Sequence, residues 1–340
     1  MKNSYLKQIK TLQTRTTAGR SFISIFVPLR STEIPVERIF LSLVKGANNL
    51  LIRDNRPTCT IAPPNWNHFV KQGALSLAIY HHDGVTTFIP MPVKMEPRFI
   101  VADSFHIKPL LAASNENLNA LLLHFHEKGV SLIRIGATTD YQVDCFLPPL
   151  PTVDATWSEK LNKEEMSYFI DYIAQETMVA INDETYYLGI SGTEKSFAEK
   201  IKFRSKIDLP LVHLNDSFSQ ESPNNAIMGL RLKLKEKIHT DYLSRVKHFS
   251  DQENFDLKDL GTLILDNEIK HLCVSLDDLH FGEVNEKNGE ISLNRTQLGI
   301  KDDDVLDDLV EMALKRGVKV SVVPKKYLPR GRTYLVSPSI

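Results

Sequence analysis

Residues 206–239 read KIDLPLVHLNDSFSQESPNNAIMGLRLKLKEKIH, and the rest of the chain is organised around this segment. It divides into a short extended piece, a polar loop over 215–225 and a long helix. The helix is predicted because apolar residues recur every three or four positions and therefore share one face. That face consists of Ile227, Leu230, Leu234, Ile238, Tyr242, Val246 and Phe249. Pro223, Asn224 and Asn225 are typical of a helix start, because asparagine caps free amides and proline cannot continue a preceding element.

The predicted helix is strongly basic between its apolar positions. Its cations are Arg231, Lys233, Lys235, Lys237, Arg245 and Lys247, and its acids are Glu236 and Asp241. One interpretation is a solvated helix face beside a variable loop. The other is a helix that lies along phosphate groups and holds the loop out in front of it. Spacing alone does not decide between them.

The composition is that of an ordinary soluble protein. The chain has 340 residues, 42% of them hydrophobic and 24% charged, which predicts two or three domains. No apolar run reaches the length of about 18 residues that would span a bilayer. The first residues lack the apolar core of a signal peptide, so a cytoplasmic location is expected. Three widely separated cysteines, Cys59, Cys145 and Cys273, predict neither a zinc knuckle nor a disulfide framework.

The formal net charge of −1 hides strong segregation of charge along the chain. Residues 1–30 contain six Lys or Arg and no acid. Residues 251–311 contain seventeen Asp or Glu against five Lys or Arg, whereas residues 312–340 contain seven Lys or Arg and no acid. Clustered basic segments in a neutral chain allow local attraction to a polyphosphate without general stickiness.

Hydrophobic patterns predict alternating strands and helices. The predicted strands are 22–28, 74–80, 86–89, 98–101, 120–125, 130–135, 186–190, 270–276 and 319–323. The predicted helices are 4–13, 36–51, 65–71, 163–181, 193–203, 226–249, 257–265 and 305–316. Thr193 is the predicted N-cap of its helix. Trp66 and Trp157 are predicted to be packing residues.

Two segments suggest domain boundaries. Residues 1–152 are predicted to form a mixed α/β domain that ends in a stiff segment with three prolines at 148–151. Residues 153–252 form a middle domain containing the long basic helix, and the polar run 250–254 ends it. Residues 253–340 alternate helix and strand, which is typical of a small α/β sandwich. The fold class is therefore mixed α/β (α+β) with three domains.

An acidic run precedes the last predicted helix. Asp302, Asp303 and Asp304 stand before its start, and Lys315 and Arg316 stand at its end. The acids at the start of the helix and the bases at its end both interact favourably with the helix dipole. Gly317 then stops the helix as a C-terminal glycine. The acidic run is explained better by this role than by metal binding.

The sequence offers no self-sufficient active site. It contains no phosphate-binding Gly-x-x-x-x-Gly-Lys loop and no dinucleotide-binding Gly-x-Gly-x-x-Gly after a strand. Residues 189–192 lack the spacing of a nucleophile elbow. His124 and His126 alternate on a predicted strand and face the same side, as metal ligands do, but no third ligand follows at a recognisable spacing. The alternative is that His124 and His126 are partly buried residues of the strand and bind no metal. No metal and no cofactor are predicted.

At three places the chain resembles the bacterial relatives of the archaeo-eukaryotic class-1 peptide release factor and Pelota. The first is FISIFVP at 22–28, followed by Trp66, the strand at 73–80 and FHIKPLL at 105–111. The segment 105–111 is expected to pack in the core, with Pro109 ending a strand.

The second place is IDLP at 207–210, followed by a loop and the basic helix. It is similar to the middle domain of the release factors, where Asp-Leu-Pro ends a strand before a Gly-Gly-Gln loop and a long basic helix. The third place comprises VLDDL at 305–309, GVKV at 317–320, and the segment that runs from VVP at 322–324 to LP at 328–329. It resembles the family's third domain, which is related to kink-turn-binding ribosomal proteins.

The loop departs from this family at its reactive motif. The release-factor loop carries Gly-Gly-Gln, which promotes ester hydrolysis at the peptidyl-transferase centre. Here the loop contains Gln220 but no glycine pair, and glycine gives the backbone freedom that close approach to an ester requires. The codon-reading motifs of the family's first domain also have no counterpart here. We therefore expect neither peptide release nor stop-codon reading, and no enzymatic activity.

The resemblance implies a translation factor that occupies the ribosomal A site without release chemistry, as a hibernation or stalled-ribosome factor does. It implies contact with ribosomal RNA and docking beside a translational GTPase such as elongation factor Tu. The implied ribosome-binding residues are Arg231, Lys233, Lys235, Lys237, Ser219, Gln220, Asn224 and Asn225. The alternatives are a rescue factor that hydrolyses peptidyl-tRNA, an RNA-processing nuclease using His124 and His126, and an adaptor without RNA contact.

Overall fold

The computed structural model describes most of the chain and divides it into two compact units. The described residues are 4–14, 21–29, 34–71, 74–115, 119–126, 129–136, 140–146, 162–181, 185, 187–214, 223–247, 249, 255–297, 299–300 and 302–339. Unit 1 is built from residues 117–238, and unit 2 from residues 4–116 and 239–340. In the described part of the chain, no helix is both long and apolar enough to cross a membrane.

The first 116 residues contribute an antiparallel sheet with helices to unit 2. The elements are α1 (Ser4–Gln13), β1 (Phe22–Pro28), α2 (Val36–Arg53), α3 (Trp66–Lys71), β2 (Ser76–His82), β3 (Val85–Met91), β4 (Arg98–Ala102) and α4 (Lys108–Asn115). The strands pair in the order β3-β2-β1-β4. All seven residues of β1 are buried, which explains why Ser24 is its one polar residue. The packing role predicted for Trp66 is confirmed, since it is buried against Phe40. Trp157, for which the same role is predicted, lies outside the described residues.

The segment 105–111 was expected to end as a strand at Pro109, and this prediction is wrong. Helix α4 begins at Lys108, so that Pro109 lies in its first turn, where proline is well tolerated. The helix start is capped from a distant part of the chain. The carboxylate of Asp307 accepts hydrogen bonds from the amides of Ile107 (3.1 Å) and Lys108 (2.6 Å). A local sequence pattern cannot predict a capping residue that lies about 200 residues away in the chain.

Unit 1 is built on a five-stranded mixed sheet. Its elements are β5 (Ala120–His126), β6 (Gly129–Ile135), β7 (Asp140–Phe146), α5 (Lys163–Ala180), β8 (Tyr187–Ser191), α6 (Lys195–Ser205), β9 (Leu211–His213) and α7 (Pro223–Lys247). The strand order is β7-β6-β5-β8-β9. Strands β5 and β8 pair in parallel, with Leu121 opposite Leu188, and β9 adds to β8 in parallel. The predicted N-cap of α6, Thr193, is replaced by Glu194, which makes no side-chain capping bond.

Helices cover both faces of this sheet. Leu121 and Leu123 of β5 point to one face, where they pack with residues of α5 and α6. Leu122 points to the other face, where it packs with Leu230 and Leu234 of α7. Among its described residues, unit 1 is therefore a three-layer arrangement, with α5 and α6 on one side of the sheet and α7 on the other.

The division of the chain differs from the predicted boundaries. The predicted boundary at residue 152 separates β5, β6 and β7 from β8, although all four belong to one sheet. The structure places this boundary near residue 117 instead, and the second one at 238/239 rather than 252, inside α7. The prolines at 148–151 signal a stiff segment, but local composition carries no information about which strands pair on either side of it.

The remaining residues add two small sheets to unit 2. Their elements are α8 (Leu260–Leu265), β10 (Ile269–Ser275), β11 (Phe281–Val284), β12 (Ile291–Leu293), β13 (Asp303–Asp304), α9 (Val305–Lys315), β14 (Lys319–Val323) and β15 (Tyr334–Pro338). The sheet orders are β14-β10-β15 and β12-β11-β13. Asp304 caps α9 through the amide of Leu306, and Gly317 with φ +76° follows its end, so the predicted start and stop of this helix are confirmed.

The first and last parts of unit 2 share one hydrophobic core. Phe22, Tyr80 and Ile107 from the first part belong to the same buried cluster as Leu272 and Val305 from the last. The three-domain prediction separated these segments. Their common core explains why they form one compact unit, since neither part covers its apolar face alone.

A buried ion pair crosses this shared core. The Lys108 ammonium, fully buried, lies 2.5 Å from the Asp304 carboxylate and donates to the carbonyl of Asp278 at 2.7 Å. Burial acts to raise the pKa of Asp304, but the charge of Lys108 outweighs it and holds that pKa below its ordinary value. The acidic run was interpreted as a partner of the helix dipole. Asp304, the last residue of this run, therefore also forms an ion pair with Lys108 of α4.

Two other buried acids of this region, Glu311 and Asp303, lie among neighbouring carboxylates. Burial, together with the nearby charge of Asp307, raises the pKa of Glu311 from its ordinary 4.5 to about 8. The Glu311 carboxylate accepts a hydrogen bond from Ser104 at 3.2 Å and lies 3.9 Å from the Lys315 ammonium. Burial and neighbouring carboxylates also raise the pKa of Asp303 well above its usual range.

We expect unit 2 to lose stability as pH rises from 4.5 to about 8, because a carboxyl with a raised folded pKa binds its proton more tightly when folded. Glu311→Gln keeps an acceptor for Ser104 and cannot ionise. Its melting temperature should therefore fall less between pH 6 and pH 9 than that of the parent protein. Thermal unfolding followed at several pH values measures this, with Glu268→Gln, an exposed site, as control. Parallel curves for Glu311→Gln and the parent would contradict the prediction.

Candidate functional site

Helix α7 has a narrow buried stripe along one face, of which Ala226, Leu230 and Leu234 pack on the sheet of unit 1. Leu230, Leu234 and Ile238 are buried at four-residue spacing, flanked by Ala226 before and Tyr242 after. All five side chains lie on the same face of the helix. The apolar face predicted from the sequence is confirmed, except that Ile227 and Val246 at its edge are only half-buried.

A glycine in the sheet allows α7 to approach closely. A Cβ atom added to Gly189 of β8 would lie 2.5 Å from a methyl group of Leu230 and 3.2 Å from one of Leu122. Gly189→Ala should therefore overpack this contact and cost about 1–3 kcal/mol of stability. Gly229→Ala is the matched control, because nothing lies within 4 Å of its added Cβ and alanine favours a helix interior. Thermal unfolding should show opposite shifts for the two variants, and equal shifts would contradict the packing argument.

The four predicted phosphate-binding residues of α7 are not equivalent. Lys235 and Lys237 are exposed. Arg231 is half-buried. The Lys233 ammonium donates to the carbonyl of His213 at 2.8 Å and to that of Leu214 at 3.2 Å. Lys235 and Lys237 are therefore the better candidates for contact with a polyanion.

Lys233 instead holds the base of the polar loop. His213 is the last residue of β9, and its ring donates a hydrogen bond to the carbonyl of Thr193 at 2.6 Å. The amide of Leu214, the next residue, donates to the carbonyl of Ile190 in β8 at 2.9 Å. Pro210 precedes β9, so the Asp-Leu-Pro motif stands before this strand rather than at its end. The loop thus leaves from a point that is bonded to both β8 and α7. Lys233 positions this point.

The loop itself contains half of the predicted site. Ser219 and Gln220 lie outside the described residues. Asn224 and Asn225 are exposed in the first turn of α7, which begins at Pro223, so they are helical residues rather than caps. The structure thus brings Asn224, Asn225, Lys235 and Lys237 onto one helix, the asparagines in its first turn and the lysines in its fourth.

An exposed apolar ridge on α7 was missed in the sequence analysis. Met228 is 63% exposed and Leu232 is 60% exposed. They are four residues apart and lie opposite the buried stripe, with Lys235 next along the same face. The signal was present in the sequence, because these two residues fall outside the predicted apolar face. The outward face of α7 therefore combines two apolar side chains with cations at its sides.

His124 and His126 face the same side of β5, as predicted. Their rings are 5.5 Å apart. The ring of His124 shares a hydrogen bond with Ser191 at 2.8 Å, and that of His126 shares one with Ser131 at 2.8 Å. His124 and Ser191 are both buried, so this serine–histidine pair does not meet solvent. Among the described residues no group of three His, Cys, Asp or Glu is placed to hold a metal ion.

No protein-family model matches the sequence, and no curated protein matches it either. Among solved structures, ribosome-bound archaeal Pelota, from a model with ABCE1, aligns with 100% of this chain and 95% of its own at 9% identity and a TM-score of 0.42. S. cerevisiae Dom34, a translation termination-like factor involved in RNA quality control pathways and interacting with Hbs1, aligns with 98% and 92% at 9% identity and a TM-score of 0.40.

The archaeal translation termination factor aRF1 aligns with 99% of this chain and 97% of its own, at 13% identity and a TM-score of 0.26. These structures are of the kind that the sequence resemblance names. At such identities and TM-scores, what this chain does has to be inferred from its own residues.

Proposed function

We propose that the protein is a translation factor that binds the ribosomal A site and does not release the nascent peptide. The observation that carries this proposal is α7. It is a long helix anchored by one buried stripe, with Lys235 and Lys237 exposed and a polar loop at its start. Exposed cations at fixed positions on a rigid helix suit contact with ribosomal RNA phosphates, which dominate the affinity of nucleic-acid complexes.

The polar loop is the part that would lie near the peptidyl-transferase centre. In the release factors this place holds Gly-Gly-Gln, whereas this loop has Gln220 without a glycine pair. We infer that Ser219, Gln220, Asn224 and Asn225 make contacts there without positioning a water for hydrolysis. The protein would then act without enzymatic chemistry, metal or cofactor. Lys233 supports this role by holding the loop base against α7.

A factor that fills the A site without releasing peptide suits an idle or stalled ribosome. We therefore infer a hibernation or stalled-ribosome role in the cytoplasm. Delivery beside a translational GTPase such as elongation factor Tu is part of the same proposal, because it follows from the family that the sequence resembles. The nuclease alternative finds less support, since the His124 ring is buried and bonded to Ser191.

Two assays on purified components test the proposal. The tagged full chain should sediment with ribosomes in a sucrose gradient, and its affinity should fall steeply as salt rises. It should not release labelled peptide from peptidyl-tRNA bound in the ribosomal P site. Exchanging residues 216–222 for a Gly-Ser sequence of equal length should weaken inhibition of translation more than it weakens binding.

The same assays distinguish the rescue-hydrolase alternative. If the intact protein releases peptide catalytically and Gln220→Ala abolishes that release, the non-releasing role is wrong and the rescue hydrolase takes its place. If the protein does not sediment with ribosomes at low salt, both ribosomal roles are wrong. The adaptor without RNA contact and the nuclease would then be the remaining alternatives.

A further inference from the structure

A pocket of about 430 Å³ opens at one end of the antiparallel sheet of unit 2. This volume lies within the range of about 300–1,000 Å³ that is typical of small-molecule sites. One wall is the segment 56–60, which follows α2. The other wall is the start of β1 together with the turn between β2 and β3. None of the described residues that line the pocket belongs to α7, so it is separate from the site proposed above.

Both walls of the pocket are fixed by the fold. The Asn48 side chain accepts a hydrogen bond from the Cys59 amide at 2.8 Å and donates one to the Cys59 carbonyl at 3.0 Å, which holds the segment 56–60 against α2. Asp83 (φ +50°) and Gly84 (φ +74°) form the two-residue turn between β2 and β3, and positive φ at both positions is typical of a type I′ turn. A site formed in advance needs little ordering when a ligand binds.

The two charged side chains among the described lining residues have opposite signs and belong to different walls. Arg56 is exposed in the segment 56–60, and Asp83 is exposed in the turn. A guanidinium group has five N–H donors and binds carboxylates well, whereas a carboxylate accepts hydrogen bonds from an ammonium group. Walls of opposite charge favour a ligand that carries both charges over a simple anion or cation, because each of its ends then meets a charge of opposite sign.

His81 adds a polar group at the inner part of the pocket. It is only 6% exposed, and its Nδ1 atom shares a hydrogen bond with the Thr86 hydroxyl at 2.8 Å. Its other ring nitrogen has no hydrogen-bond partner among the described residues. Burial, together with the charge of His82, lowers the pKa of His81, so the ring is neutral at pH 7. When the Thr86 hydroxyl donates to Nδ1, the ring proton lies on Nε2, which can donate it to a ligand oxygen.

The inner wall of the pocket is apolar. Ile23 of β1 and Leu51 of α2 line it and are almost fully buried, since both belong to the hydrophobic cluster formed by α2 and the sheet. An apolar ligand group in contact with these side chains is removed from water, which favours binding. The pocket therefore combines a cation, an anion and a neutral polar group with an apolar inner wall.

We propose that this pocket binds a free α-amino acid with a large apolar side chain. The ligand carboxylate lies against Arg56 and the Nε2 atom of His81, and the ligand ammonium group lies against Asp83. The ligand side chain packs on Ile23 and Leu51. A nucleotide or an inorganic phosphate fits less well, because the Asp83 carboxylate would face its negative charge. The inference goes beyond the proposed function and uses no residue of α7.

Isothermal titration calorimetry of the full chain with L-phenylalanine, and with L-leucine as a second apolar amino acid, tests this without ribosomes. Two analogues of phenylalanine each lack one charge, since phenylpropionate has no ammonium group and phenethylamine has no carboxylate. Both should bind at least about tenfold more weakly than L-phenylalanine. Glycine, which lacks the apolar side chain, should show no binding at the same concentrations.

Variants at exposed positions assign each charge. Arg56→Gln should weaken binding of L-phenylalanine about 10- to 150-fold, the usual effect of losing a hydrogen bond to a charged group, and leave phenethylamine binding unchanged. Asp83→Asn should weaken L-phenylalanine similarly and leave phenylpropionate unchanged. Asparagine suits the first position of a type I′ turn, so the hairpin should fold. Arg38→Gln is the matched control, because Arg38 is an exposed arginine of α2 and is not among the described lining residues.

Alkylation of Cys59 locates the bound ligand. This half-buried thiol lines the pocket, so saturating L-phenylalanine should slow its reaction with iodoacetamide. Mass spectrometry of the peptide that contains Cys59 measures the rate. The same ligand concentration should give less protection in Arg56→Gln.

The proposal is wrong if neither L-phenylalanine nor L-leucine binds at millimolar concentration. It is also wrong if binding is unchanged in both Arg56→Gln and Asp83→Asn, or if Arg38→Gln weakens binding as much as they do. If phenylpropionate binds as tightly as L-phenylalanine, the pocket takes a simple carboxylate and the amino-acid assignment is wrong.

Discussion

Replacing Lys108 with methionine should destabilise unit 2 by about 3–5 kcal/mol, the usual cost of leaving one member of a buried ion pair unpaired. The ammonium group of Lys108 is fully buried, and it is bonded to both Asp304 and the carbonyl of Asp278. Methionine fills a similar volume, so lost packing contributes little. The cost is the charge of Asp304, which is fully buried and loses the lysine that pairs with it.

Chemical denaturation followed by Trp66 fluorescence measures this effect, in a Trp157→Phe background so that the signal reports unit 2. Lys325→Met is the control, because Lys325 forms an equally short ion pair with Asp278 but is 56% exposed. Exposed pairs contribute about 0–1 kcal/mol, so this variant should change stability little. The double variant Lys108→Met, Asp304→Asn should recover part of the loss. Equal losses in the two lysine variants would contradict the assignment.

Charge reversal at Lys235 and Lys237 should weaken ribosome binding by at least about tenfold at 0.15 M salt. Each phosphate that a lysine neutralises releases condensed counterions, so the slope of log affinity against log salt should also fall by about 2. Both side chains are exposed on α7, and the buried stripe of the helix is untouched, so the fold should be intact. Sedimentation with purified ribosomes across a salt series measures both quantities.

The control for this experiment carries the same change of net charge. Lys45→Glu with Lys287→Glu reverses two exposed lysines of unit 2 that do not belong to α7. Lys233 is left intact because its ammonium group holds two carbonyls at the loop base, and reversing it would disturb the loop. If the control pair weakens ribosome binding as much as the α7 pair, the effect is one of net charge and the role of α7 is wrong.

Helix α7 shows how much of the candidate site could be predicted from the sequence. Its apolar residues at four-residue spacing predicted the buried face, because spacing along a helix determines which side chains share a side. The cations of α7 were equally visible, but their roles were not. Lys233 differs from Lys235 only through its distance to two carbonyls on another element. Such a difference depends on how β9 and α7 pack.

For this protein, the sequence alone determined the longer helices and most of the strands, which face of α7 is buried, and where α9 starts and stops, but it predicted neither α4 nor the strands β7, β11, β12, β13 and β15. Each of these follows from residues a few positions apart. Only the tertiary structure decided that β5 pairs with β8 in parallel, and that Lys108 meets Asp304 across 196 positions. It also decided which apolar side chains, such as Phe203, stay exposed. These contacts join residues that are distant in the chain, and their energies depend on burial and packing, which no local pattern records.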